Sequence, residues 1–328
     1  MSREALLEQA RQIARVALEA YDLPAAGLTP LRCGNNAVFR VEPRGAAAAA
    51  CVLRVHRPGY RQVEHIRSEL QFVEMLATME GLRVPRPVLA GDGALIMTVM
   101  TGDGEVRHCD LLTWLDGHVR RPGRGLGPRS TYRLGVLIAR MHDASARWTA
   151  PAGFELPRWD GDGLFTAASP FAPGPLEAIF SPADHMLVEQ VEQEVRTLFA
   201  ELDRLPGSFG VIHADFILGN CLFRAREPGV LDFDDCGWGY FLYDLCPLLG
   251  NLRDSPDYRR LRTAFLDGYR AVHPLDPALE THIDLLIAAR HITSCLWVAG
   301  AHRSGGLGPE PAAHIAYRMG EVRALLKG

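Results

Sequence analysis

The hydrophobic period of the chain changes once, near residue 115, and that switch limits what it can fold into. Before it, short apolar runs at 37–41, 51–55, 88–90, 94–100 and 108–114 have the length and turn-bounded character of strands. Helical spacing interrupts them only at 3–20 and at 61–80, where Ile66, Leu70, Val73 and Leu76 share a face. After the switch, 130–143, 183–204, 257–272, 276–300 and 310–326 all read as helices. Leu134, Leu137, Ile138 and Met141 make one apolar face, and Leu187, Val191, Val195, Leu198 and Leu202 another. Short strands return only around 209–234. The pattern predicts an α+β molecule of two lobes: a small sheet lobe with a leading helix over 1–115, and a larger helical lobe over 116–328. The hinge falls within 110–117. The five alanines at 46–50 read as a loose hairpin connection. The Pro- and Gly-rich stretch 150–182 reads as a long surface excursion.

With 328 residues there is ample material for a core. Hydrophobic content of 48% with 23% charged residues is that of a globular domain, and a net charge of −4 offers no basic face for nucleic acid or an anionic membrane. No apolar run reaches the roughly 18 residues of a membrane span. The first 23 residues lack the apolar centre of a secretory signal. Seven cysteines without a C-x-x-C suggest reduced thiols, hence a cytoplasmic protein with neither nucleic-acid nor membrane partners.

Two apolar strands end in polar groups. Val211-Ile212 runs into His213, Asp215 and Asn220, and Val230-Leu231 runs into Asp232, Asp234 and Asp235. Phosphoryl transfer needs a base beside the acceptor hydroxyl and hard oxygen ligands for Mg²⁺. Asp215 suits the first task; Asn220 and Asp232 suit the second, with Asp234 a further candidate. The plainer alternative makes Asp215 a loop cap, and at least one of Asp234 and Asp235 a turn carboxylate. His56 and His65 read as surface or lobe-packing groups, His142 as a hydrogen-bonded structural group, and Cys236 as an unreactive thiol.

The sequence H-x-D-x-x-x-x-N, then D-F-D-D, then Gly239 to Asp244-Leu245 resembles the aminoglycoside phosphotransferase and choline kinase family, which has a protein-kinase-like fold. Within it, CVLRVHRPGY at 51–60, LLTWLDG at 111–117, LGVLIARMH at 134–142 and WVAG at 297–300 are most similar to the homoserine-kinase-type and stress-response-kinase branch. The resemblance covers about residues 24 to 325. It implies a small antiparallel-sheet N-lobe, a helical C-lobe, and ATP and Mg²⁺ as cofactors. It also implies a role at each matching position. His213 orders the catalytic loop, Asp215 is the base, Asn220 and Asp232 hold the metal, and Asp244 braces the loop. Gly34, Asn35 and Asn36 cover the phosphates, and the hinge Leu111, Leu112, Thr113, Trp114 and Leu115 receives adenine.

Two positions depart from the family pattern. Arg54 stands where a phosphate-binding lysine is usual, with Glu69 as its expected ion-pair partner; a guanidinium still binds phosphate bidentately. Ile217 stands where many members carry a second histidine. Arg290 and Trp297, seven apart on one helical face, suit a carboxylate-bearing acceptor, the alternative being a structural ion pair for Arg290. The reading is an ATP-dependent kinase of a small hydroxylated metabolite such as a hydroxy amino acid or amino alcohol. A protein serine/threonine kinase and a nucleotide-binding pseudokinase are the alternatives, and the sequence does not fix the oligomeric state.

Overall fold

The computed structural model describes residues 3–23, 26–34, 36–43, 49–102, 104–306 and 309–327. Its N-terminal region holds one antiparallel sheet: β1 (Gly27–Cys33), β2 (Asn36–Glu42), β3 (Cys51–His56), β4 (Pro87–Val88), β5 (Met97–Met100) and β6 (Val106–Thr113). The order is β1-β2-β3-β6-β4, with β5 also on β6. Alternation along β2 and β3 divides the two faces. Phe39, Val41, Leu53 and Val55 pack with Ile13, Ala14, Ala17 and Leu18 of helix α1 (Arg3–Glu19). Arg54 faces Glu69 on helix α2 (Val63–Thr78). Further along the same face of α2, Phe72, Val73 and Leu76 enter the core of the second lobe, so α2 ties the two halves together.

The second lobe opens with β7 (Arg121–Pro122), β8 (Gly125–Leu126) and helix α3 (Pro128–Arg147). Strand β9 (Arg158–Trp159), α4 (Gly161–Phe165) and α5 (Pro182–Leu202) follow. Two short hairpin layers carry the polar motifs: β10 (Phe209–Ile212) pairs with β13 (Gly237–Tyr240), and β11 (Cys221–Arg224) with β12 (Glu227–Val230). Helices α6 (Phe241–Asp244), α7 (Cys246–Leu252), α8 (Tyr258–Arg270), α9 (Ile283–Arg303) and α10 (Pro311–Leu325) complete the lobe. Helices α3 and α8 approach closely because each offers a glycine. A Cβ on Gly135 would lie 2.0 Å from the Phe265 carbonyl, and one on Gly268 2.0 Å from the Tyr132 carbonyl.

The antiparallel sheet lobe, the helical lobe and the two-lobed α+β class expected from the sequence are all present. Three features differ from that reading. β1 adds a strand before the first one expected, since its alternation is broken by Pro30, where the β1–β2 register shifts. The stretch 150–182 is not a surface excursion. Trp159, Leu164, Phe165, Phe171 and Phe180 are all buried, carried by short elements and turns that show no period. The apolar segment Pro277–Arg303 is long enough to cross a membrane, contrary to the expectation of no such run; 67% of its most apolar window is buried in the lobe, as in a core helix. His56, expected at the surface or packed within a lobe, is buried in the sheet lobe against Asp110. Most of the five-alanine run, and Asn35, lie outside the described residues.

Candidate active site

Strand β10 delivers the chain to His213, whose ring is wholly buried. The His213 ring Nε2 lies 3.2 Å from the Leu231 carbonyl, and its Nδ1 accepts from the Asp215 N–H at 3.3 Å. That pairing uses the neutral ring, and burial pushes the His213 pKa down. The next residue, Ala214, has φ of 62°, in the left-handed region a side chain rarely adopts. Asp244 holds this turn: its two oxygens accept from the His213 N–H at 2.9 Å and the Ala214 N–H at 2.7 Å. His142 lies 3.0 Å from the same carboxylate, with Tyr269 behind it at 2.9 Å. The structure thus joins His142, Asp244 and His213 in one buried brace under the loop.

The brace presents Asp215, only partly buried. Its Oδ2 accepts from Asn220 Nδ2 at 3.0 Å and its Oδ1 from Arg290 Nη2 at 2.5 Å. Asn220 is fixed in turn, because its carbonyl accepts from the Leu231 N–H at 3.0 Å. That bond places Asn220 beside Asp232, where φ is 69°. Backbone strain at two adjoining loop positions is typical of sites where geometry outranks stability.

The acids after β12 meet cations and amides from the N-lobe. Arg32 Nη1 lies 3.1 Å from Asp232, and Asn36 Nδ2 donates to Asp234 at 3.1 Å. Arg61 donates to Asp235 at 2.6 Å and to the Asp234 carbonyl at 3.1 Å. The Trp159 indole N–H donates to the Asp235 carbonyl at 2.8 Å. Burial, with Asp234 next in effect, raises the Asp232 pKa to about 7 despite Arg32. Burial raises Asp235 to about 6, with Arg61 opposing. Such a crowd of carboxylates stabilises a bound cation.

Arg54 and Glu69 form the expected pair, at 2.6 Å and fully inside the protein. The hinge lies on β6 and just beyond it. Leu111 and Leu112 are buried in the sheet, the Thr113 N–H is taken by the Arg86 carbonyl, and the Trp114 N–H by the Ala50 carbonyl. Leu111 and Leu112 stand in ladder register between β3 and β4, and the Thr113 and Trp114 amides are committed, so Leu115 is the hinge residue left beyond the sheet. Gly34 donates to the Asn36 carbonyl in the β1–β2 turn. Arg290 does not stand open as an acceptor handle; it is the partner of Asp215, as the structural alternative had it. Trp297 lies against the His314 ring, at 6.2 Å, instead of joining Arg290.

Sequence reasoning missed Arg32, Arg61, Asp110 and His56. Arg32 and Arg61 meet acids 200 and 174 residues away, a separation no local pattern reports. Asp110 did leave a signal: an acid in the middle of an apolar strand, opposite Arg54 once β3 and β6 are aligned.

A strand-borne Arg–Glu pair, a braced H-x-D loop and a neighbouring acidic loop between two lobes define a kinase-like phosphotransferase. A sequence model of the phosphotransferase enzyme family (APH) matches residues 28–280, and the chain belongs to that family. The structure of a microcompartment-associated aminopropanol kinase superposes with a TM-score of 0.79 at 28% identity, covering 97% of each chain. The amicoumacin kinase hAmiN, solved with AMP-PNP, Ca²⁺ and Ami, gives a TM-score of 0.77 at 20% identity over 99% of this chain and 96% of its own. Amicoumacin kinase of Bacillus subtilis is 25% identical over 260 residues, 74% of this chain and 71% of that one.

Proposed function

We propose that the protein transfers the γ-phosphate of ATP to a hydroxyl of a small metabolite, an amino alcohol or hydroxy amino acid being the class that fits best. The observation that carries this is Asp215, a partly exposed carboxylate with one oxygen on Asn220 and the other on Arg290, above the buried Asp244 brace. A carboxylate held on both oxygens is oriented for one hydroxyl, and it takes that proton as the oxygen attacks phosphorus. The adenine lies at the hinge beside Leu115. Arg54, steadied by Glu69, holds the phosphates, and the turn at Gly34 and Asn36 covers them. The relatives support the acceptor class by what their names say they phosphorylate, aminopropanol and amicoumacin.

Asn220 and Asp232, with Asp234 beside them, offer hard oxygen donors that fit Mg²⁺. Among the described residues no group of three or more His, Cys, Asp or Glu side chains could hold a metal by itself. The protein would therefore supply one amide and one or two carboxylates, leaving the other positions to phosphate and water, the usual arrangement for this ion. Held by Asn220 and Asp232, Mg²⁺ would supply the charge neutralisation that phosphoryl transfer requires.

The test is acceptor-dependent ADP release, with Mg-ATP and a panel of amino alcohols, hydroxy amino acids and aminoglycosides, alongside labelled-phosphate gels of whole-cell protein. The account expects transfer to a compound of the first two groups. Labelling of proteins alone would favour the protein-kinase reading, and nucleotide binding without any transfer the pseudokinase one.

A further inference from the structure

The sheet around Arg54 is arranged for a fork and not for a point charge. Asp110 lies directly opposite Arg54 in the β3–β6 register. Its Oδ1 and Oδ2 accept from Arg54 Nε at 2.9 Å and 3.1 Å. His56, two residues along β3 and so on the same face, brings Nε2 to 2.5 Å from Asp110 Oδ2. Glu69 takes Arg54 Nη1. All four groups are buried, Asp110 completely.

From this we propose that Asp110, backed by His56, is a positioning residue that suits an arginine to the phosphate-binding place: it holds Nε, Glu69 holds Nη1, and Nη2 is left to meet a phosphate oxygen. The proposal rests on the reading of Arg54 as the phosphate holder. Nη2 is buried and has no partner in the structure, on a side chain only 7% exposed. A buried donor without an acceptor is costly, so this corner of the fork is set for an anionic oxygen from outside the protein. The other two corners are occupied, so the guanidinium plane cannot turn away. Burial alone would raise the Asp110 pKa, but Arg54 and His56 hold it below the usual range, so the anchor stays ionised. Asp234, across the cleft, adds to the field that keeps Arg54 charged.

A lysine could not do the same here. An ammonium is one point with no fork, and it would be divided between Glu69 and Asp110 before any phosphate arrived. Arginine at 54 and aspartate at 110 are therefore a matched pair. A Lys at 54 needs a neutral residue at 110.

Calorimetric binding of Mg-ATP and of adenosine to the full chain tests this without an identified acceptor. Asp110→Asn should weaken Mg-ATP by about 10-fold or more, the scale of a lost charged hydrogen bond, while adenosine binds as in the wild type. Arg54→Lys should lose Mg-ATP affinity, and Arg54→Lys with Asp110→Asn should regain part of it. Equal loss of ATP and adenosine in Asp110→Asn, or no loss of either, would overturn the proposal. So would a double variant no better than Arg54→Lys. If Asp110→Asn alone does not fold, the double variant against Arg54→Lys still decides the matter. Arg54→Ala separates the two levels. Wild-type Mg-ATP affinity there would remove the phosphate role of Arg54 itself. Loss there, with intact affinity in the Asp110 variants, would remove only the role of Asp110.

Discussion

Asp215→Asn is the most informative single substitution, because the structure makes it more than a removal of charge. Both carboxylate oxygens face donors, Asn220 Nδ2 at 3.0 Å and Arg290 Nη2 at 2.5 Å. An amide has one acceptor oxygen, so its NH₂ must face one of these donors. Asn220 Nδ2 also donates to the Asp215 main-chain carbonyl at 3.0 Å, so the amide can turn its oxygen to Arg290 and leave no donor unpaired, and the stability change should be small. Melting should move by only about 1.5 °C for each kcal/mol in a chain of 328 residues. The catalytic cost is that of a lost general base, about 10²–10⁴ in turnover. Arg54, Glu69 and the hinge are untouched, so Mg-ATP affinity should hold. The assay is initial-rate ADP release with the best acceptor of the panel, beside calorimetry with Mg-ATP and a melting curve. A turnover loss under about tenfold, with Mg-ATP affinity unchanged, would show that Asp215 is not the base.

Four other outcomes follow from the same geometry. Mg-ATP should bind far more tightly than ATP with EDTA, and Asp232→Ala should abolish the difference; equal affinities by calorimetry would contradict the metal site. Arg290→Met should lower kcat by about 10–100-fold for amino alcohols and hydroxy amino acids alike, because Arg290 serves Asp215; a KM effect confined to carboxylated acceptors would restore it as an acceptor handle. Gly268→Ala should cost about 3 kcal/mol in urea unfolding, since the new Cβ meets the Tyr132 carbonyl; a midpoint unchanged from wild type would mean α3 and α8 can part. His291, buried and facing Arg318, Arg290, Arg253 and His314, has its pKa lowered to about 3, with burial the larger cause. Between about pH 6.5 and pH 3 the unfolded chain binds a proton there that the native one does not. Stability should therefore fall with pH across that window, by at most about 1.4 kcal/mol per unit, and His291→Asn should flatten that slope.

The polar loop was legible because polar residues broke two apolar strands at fixed spacing, and no core strand needs His213, Asp215 and Asn220 together. The helices were legible from their period, and Arg54 with Glu69 from one strand and one helix in the expected order. What stayed hidden depends on contacts between distant segments. Asp110 looked like part of the hinge until the β3–β6 register put it opposite Arg54. Asp235 looked like a turn carboxylate until Arg61 and Trp159 were found to secure it. The core role of 150–182 was masked because Pro and Gly punctuate it, and its buried aromatics are spread over short elements and the turns between them. Arg290 left two readings open, an acceptor handle or a structural ion pair; helical spacing could not choose between them, and the packed structure puts its Nη2 on Asp215.

The central claim, that this phosphotransferase moves phosphate from ATP to a small alcohol through Asp215, is tested most directly by following the labelled γ-phosphate. The enzyme is incubated with γ-labelled ATP, Mg²⁺ and each amino alcohol or hydroxy amino acid of the panel, and the products are separated and identified by mass. The account predicts a labelled phosphate ester of at least one of these compounds, formed with equimolar ADP and lost in Asp215→Asn. Label released only as inorganic phosphate or found only on protein, or an ester that persists undiminished in Asp215→Asn, would contradict it.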